Sequence, residues 1–197
     1  MDDFLEQTAV RHKHGIYSVF YWLTWVILAC FAAFALISLS GFLGVDRETG
    51  RMTFHWQSLL LGLASGAVAF FLFRVKDNLR LEYDYSFTNG TLDISGIMNN
   101  KRRRYLCSME TKEVVRCGPA AGPAFARTLS EPGIKRHNWF VNRDAKLYYF
   151  YFQKKGQKHV AILELSDEMI SVIRSKKYLN IGVWYDADGK QSYASLS

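Results

Sequence analysis

The hydrophobic positions of this chain change their period once, near residue 80. From Ser18 to Val45 and from Met52 to Phe73 every residue is uncharged, giving runs of 28 and 22 residues. A helix needs roughly 20 apolar residues to cross a hydrocarbon core about 30 Å thick. The pattern therefore predicts transmembrane helices over 18–44 and 54–73, joined by a short external loop at 45–53. A cytoplasmic tail is expected over 1–17 and a juxtamembrane linker over 74–80. The first run is too long, and its leader with Asp2, Asp3 and Glu6 too acidic, for a cleaved secretory signal.

Beyond Leu81 the pattern alternates. Leu81, Tyr83, Tyr85 and Phe87 lie on one face and Glu82, Asp84 and Ser86 on the other; after Asn89-Gly90, Leu92 and Ile94 alternate with Asp93 and Ser95. This is the pattern of two half-buried strands joined by a tight hairpin turn. Further strands are expected over 102–109, 114–117, 138–142, 147–153 and 159–165, making seven. Ser166 then reads as an N-cap, with Asp167 and Glu168 in a first helical turn. Met169, Ile170, Val172 and Ile173 follow as an apolar stripe, and Arg174, Lys176 and Lys177 as a basic last turn. The stretch 118–136 holds all three prolines, Pro119, Pro123 and Pro132, and reads as an irregular loop in which Phe125 and Leu129 are candidate partner anchors. The tail, 179–197, carries a strand-like patch at 181–185 and no assigned role.

Strands in this order, closed by one C-terminal helix, resemble the pleckstrin-homology-like (PH-like) fold. More narrowly, two apolar spans followed by YDYSFTNGTLDI, a basic KRRR turn and a closing SDEMISVI helix resemble a family of small bacterial membrane proteins known as a domain of unknown function. The expected architecture is an α+β membrane protein: an N-terminal two-helix transmembrane hairpin, then a cytoplasmic seven-stranded PH-like barrel or sandwich over 81–178 with a C-terminal helix. The resemblance implies a bacterial inner-membrane location and carries no known activity.

Charge sharpens the division. The chain has 25 Lys and Arg against 18 Asp and Glu, a net charge of +7. The part from Arg74 onward holds 21 against 13, a net +8. Basic flanks stay on the cytoplasmic side, so both termini are expected in the cytoplasm of a multi-pass protein of the cell membrane. The densest run, Lys101, Arg102, Arg103 and Arg104, together with Arg74, Lys76 and Arg80, is the candidate contact for anionic lipid, where each charge near the leaflet contributes about 1 kcal/mol. The first hairpin turn, Thr88-Asn89-Gly90, has no basic residue, unlike phosphoinositide-binding PH domains. Ala29 with Ala33 and Gly62 with Gly66 form small-residue pairs suited to helix packing, either within the hairpin or between copies of the chain.

Sequence motifs for catalysis are absent. The five histidines, His12, His14, His55, His137 and His159, and the three cysteines, Cys30, Cys107 and Cys117, show no metal-binding spacing, and there is no phosphate loop or nucleophile elbow. The expectation is a non-enzymatic, membrane-anchored interaction or scaffold module within a membrane complex, without metal or cofactor and without nucleic acid. Its expected partners are membrane lipids and a protein or a second copy of itself; the alternative is a surface sensor of anionic phospholipid.

Overall fold

A computed structural model describes residues 3–12, 14–45, 50–99, 101–175 and 177–192. Lys176, positions 46–49 of the expected external loop and the end of the tail, 193–197, lie outside the described residues. In chain order the elements are β1 (Phe4–Ala9), α1 (His14–Ser40), β2 (Leu43–Val45), β3 (Met52–Phe54) and α2 (Trp56–Val75), followed by a 3-10 turn at Lys76–Arg80. Then come β4 (Leu81–Thr88), β5 (Thr91–Met98), β6 (Arg102–Glu110), β7 (Val114–Pro119), α3 (Pro123–Leu129), β8 (Ile134–Trp139), β9 (Tyr148–Lys154), β10 (Gln157–Leu163) and α4 (Asp167–Ile173). They form two compact units, Met1–His12 with Leu81–Ser197 and Lys13–Arg80.

The first unit is built on two four-stranded sheets, ordered β1-β4-β5-β6 and β7-β9-β10-β8. Period-two alternation sends Tyr85, Phe87, Leu92, Ile94 and Met109 of the first sheet, and Phe150, Phe152, Ala161 and Leu163 of the second, into one shared core. Met169 and Ile173 of α4 complete it. The Asn89-Gly90 turn has both residues at positive φ, 50° and 98°, which matches a two-residue hairpin turn to the strand twist. Lys155-Gly156 repeats the device between β9 and β10, at 51° and 76°. As the cap signal implies, Ser166 Oγ accepts the Met169 N–H at 3.2 Å to start α4.

Three expectations need correction. The segment 1–17 is not simply a tail: Phe4–Ala9 is a strand that pairs antiparallel with β4, from Phe4 opposite Thr88 to Ala9 opposite Tyr83. The unit therefore has eight strands rather than seven among the described residues. Its sequence, FLEQTA, is short, with Glu6, Gln7 and Thr8 polar in succession rather than alternating, and its partner lies beyond both apolar runs, so neither period nor turn signal marks it. The segment 118–136 is not an irregular loop either, since Pro123 opens α3 and the next strand runs Ile134–Trp139, earlier than 138–142. Finally, the tail closes on the core. Trp184 is buried and bridges to Cys117, with the Arg174 guanidinium 4.4 Å above its ring. Gly118 permits this approach, because a Cβ there would lie 2.1 Å from the Tyr185 carbonyl oxygen.

Side chains lock β1 to the second sheet. Asn142 Nδ2 donates to the Val10 carbonyl at 2.9 Å and to Glu164 Oε1 at 2.7 Å, while Asn142 Oδ1 accepts the His12 N–H at 2.9 Å. The buried Glu164 carboxylate also accepts the backbone N–H groups of Val141 and Asn142, at 3.1 and 3.0 Å. Gln7 completes the bracket by accepting the Ser166 N–H at 2.7 Å and donating to the Glu164 carbonyl at 3.1 Å.

In the helical unit, α1 and α2 are each long and apolar enough to cross a membrane. They pack through Gly62, whose Cβ position would fall 2.7 Å from Leu39 Cγ and 3.3 Å from the Ala35 carbonyl. Gly66 faces the same helix, 4.0 Å from Ala35 Cβ. Ala29 and Ala33 are exposed, so the small-residue seam of α1 passes through Ala35 instead. A four-residue spacing selects a helix face, but only packing selects which face is used.

Removing the Asn142 amide leaves Glu164 and the backbone of residues 10–12 short of partners. Asn142→Ala is expected to destabilise the protein by roughly 1–3 kcal/mol in thermal or denaturant unfolding. In detergent, Gly62→Val should lower the unfolding temperature of the helical unit, whereas Ala33→Val should leave it near wild type.

Candidate functional site

The aromatic run Tyr148–Phe152 determines where chemistry collects. Its residues alternate between the two faces of β9. Tyr149 and Tyr151 turn to a smaller cluster with Val160 and Ile162, covered by Phe125 and Leu129 of α3. The Phe125 ring lies 5.2 Å from that of Tyr149. Phe125 and Leu129 are thus part of an internal packing layer, not outward anchors as expected. Arg116 fixes the end of that helix, donating to Glu131 at 2.6 Å, with Lys158 adding a 3.3 Å contact to the same carboxylate.

On the opposite face, Phe152 is followed by His159 on β10 and by His137 and Trp139 on β8, which adds to β10 in parallel. Near the Lys155-Gly156 turn this face is not closed by the first sheet, and a cavity of about 350 Å³ opens there. Its walls are Leu106 and Cys107 of β6 and the rings of Phe152, His159, His137 and Trp139, with Lys154, Lys155 and Gln157 at the hairpin tip. Lys154 Nζ donates to the Ser108 carbonyl at 3.1 Å, tying that tip to β6.

Within the cavity His137 Nε2 and His159 Nδ1 are 3.0 Å apart, with ring planes inclined by only 16° and centroids 5.3 Å apart. That centroid distance is close to the N···N distance plus the two ring radii, so the nitrogens face each other in line, as in a direct N–H···N hydrogen bond. One neutral imidazole donates and the other accepts, which leaves one N–H and one bare nitrogen on the outer edges, His137 Nδ1 and His159 Nε2. The indole of Trp139 stacks on His137 at 4.5 Å, and Phe152 lies parallel to His159 at 5.5 Å. Burial pushes the pKa of both imidazoles down, helped at His137 by His159 and Lys135 and at His159 by Lys135 and Lys154. Burial pushes the Cys107 thiol up, keeping it protonated.

The sequence places these residues far apart, at positions 107, 137, 139, 152 and 159. Only the parallel addition of β8 to β10 and the fold of β6 over the hairpin bring them together. Among the described residues, no group of three His, Cys, Asp or Glu side chains is arranged to hold a metal ion.

The basic run does not form one patch. Strand alternation turns Arg103 to the opposite face from Arg102 and Arg104, and Arg103 reaches across the sheet to ion-pair with Asp84 and, at 3.8 Å, with Glu6. Asp84 is only 3% exposed and also accepts the Thr8 hydroxyl at 3.2 Å, so Arg103 balances an otherwise buried charge. Lys101, Arg102 and Arg104 are exposed. Of the helical unit's cations, Arg74 is exposed, but Lys76 is buried beside Asp77 at 3.0 Å, with its ammonium 4.6 Å and 5.0 Å from the Phe73 and Trp25 ring centroids. Arg80 covers the Tyr21 ring at 4.0 Å and donates to Ser18 Oγ at 3.1 Å. Lys76 and Arg80 are thus spent on internal contacts rather than held free for lipid.

With folded pKa values below the ordinary 6.5, the two imidazoles stabilise the fold in their neutral form. That contribution is fully present above pH about 6.5 and is lost as pH falls through the lower, folded values. NMR titration should show both rings protonating below the ordinary imidazole pKa. His159→Gln should flatten the loss of stability just below pH 6.5.

Comparison with known proteins is consistent with this architecture. No curated protein and no solved structure matches the chain. The family described as bacterial PH-like domain (DUF6106) matches residues 1–180, a span that takes in β1, both long helices and both sheets. The chain belongs to the bacterial PH-like domain family DUF6106.

Proposed function

We propose that the protein is a non-enzymatic, membrane-anchored interaction module of the bacterial inner membrane, a PH-like domain held at the cytoplasmic surface by a two-helix transmembrane hairpin. The observation that supports this most directly is the pairing of β1 with β4 on either side of the helical unit. Strands that share a sheet lie on one side of a membrane, and an even number of crossings returns the chain to that side. The hairpin thus joins the domain through two neighbouring strands. The surplus of Lys and Arg after residue 73 supports the cytoplasmic side. A domain anchored in this way suits the assembly of a membrane complex, with another protein or with a second copy of the chain.

A second reading, recognition of an anionic leaflet, is supported by the exposure of Lys101, Arg102 and Arg104 at the start of edge strand β6. These three charges, without Arg103, carry the expected attraction.

Cross-linking in native membranes followed by affinity purification of the full chain should recover a discrete complex containing a partner protein or a self-dimer. Recovery of the chain alone overturns the interaction reading. For the lipid reading, full-length protein in phosphatidylglycerol nanodiscs should show slower amide exchange around residues 101–104 than in phosphatidylcholine nanodiscs. That difference should fade with salt over roughly a Debye length of screening, and identical exchange in the two lipids overturns it.

A further inference from the structure

The cavity beside the β9–β10 turn has features that the tethering role leaves unused. It is lined by aromatic rings and Leu106 on its walls and by two lysines and an amide at its mouth, with no carboxylate among its lining residues. Its volume of about 350 Å³ falls at the small end of the range for sites that enclose a small molecule. The imidazole pair satisfies one nitrogen of each ring internally and leaves only one outward N–H and one bare nitrogen. The exposed ring surface therefore suits a flat or apolar body, while the cationic rim suits a negative group.

We propose that this cavity binds an organic anion, a phosphate or carboxylate carried on a ring-sized apolar group. The flat group lies along Trp139 and His137, between Leu106 and Phe152. Its anionic end is met by Lys155 and by Lys154, whose contact with the Ser108 carbonyl already holds it at the mouth. Gln157 and the single outward imidazole N–H supply neutral donors. A cation is disfavoured, because the site offers Lys154 and Lys155 and no opposing carboxylate. A free phosphate lacks the surface to use the rings, so affinity requires both parts of the ligand.

Two sources share this chemistry, a soluble aromatic phosphate and a soluble aromatic carboxylate. Full-length protein in detergent is titrated with phenyl phosphate, benzoate, inorganic phosphate and phenol. Binding is followed at the Trp139 indole N–H and at the two imidazoles by NMR. Saturable shifts with phenyl phosphate or with benzoate are expected, and the tighter of the two identifies the anionic group. Inorganic phosphate and phenol should each bind about tenfold more weakly, as expected when a charge-assisted contact or the ring contact is lost. Lys154→Gln with Lys155→Gln should weaken the tighter ligand roughly tenfold. Lys155→Gln alone, at an exposed turn, should weaken it in the same direction and guards against a folding defect at Lys154. Absence of a saturable shift with both aromatic anions overturns the proposal, as does phenol binding as tightly as the tighter anion or an affinity indifferent to the lysine substitutions.

Discussion

Pairing of β1 with β4 is the constraint on which the rest of the structure depends. The whole helical unit is inserted between these two neighbouring strands, yet their register runs unbroken over six residue pairs. Closing so long an insertion is costly for a flexible chain, although the cost grows only slowly with length. Here the insertion brings its own ends together: Arg80, at the end of the 3-10 turn that follows the second helix, rests on Tyr21 and bonds Ser18, near the start of the first. An α-helical hairpin returns the chain close to where it left, as two adjacent strands require. Asn142, Glu164 and Gln7 then hold β1 against the second sheet, so the edge strand is bound on more than its ladder.

The same economy governs charge. The protein is strongly basic, but its cations are not interchangeable. Arg103 neutralises the nearly buried Asp84, Arg116 and Lys158 converge on Glu131 to hold α3, and Lys76 and Arg80 lie over aromatic rings. Arginine suits such sites because its planar guanidinium can stack and donate at once. Among the cations that remain exposed are Lys101, Arg102 and Arg104 at the start of β6, Arg74 on α2, and the lysines of the β9–β10 turn. The last set borders the open cavity beside the β9–β10 turn.

The cavity also shows why two histidines with no motif spacing matter. Residues 137 and 159 meet because β8 lies parallel to β10, a pairing that no short turn encodes. Once adjacent, they satisfy each other and stay neutral, leaving the lysines as the fixed positive charges of the site. This half-buried imidazole pair next to an indole offers a flat ring surface, with one N–H and one bare nitrogen on its outer edges.

Local features of the fold were legible in the sequence because they depend on near neighbours. The two apolar runs, the Asn89-Gly90 turn, most of the later strands and the Ser166 cap follow from period, turn chemistry and capping, each contained within a few residues. The contributions of Phe4–Ala9, of Pro123–Leu129 and of the tail around Trp184 were not legible, because each gains its stability from a partner distant in the chain. The run Lys101–Arg104 shows the same limit for function: its charge is plain in the sequence, but which residues face outward is set by strand register and by Asp84. By itself the sequence determined that two long apolar helices accompany a basic, strand-rich domain, since composition and periodicity are local quantities. Only the tertiary structure decided that the apolar helices interrupt that domain between paired strands and that His137, His159 and Trp139 share a cavity, because hydrogen-bonded register joins residues that the chain keeps far apart.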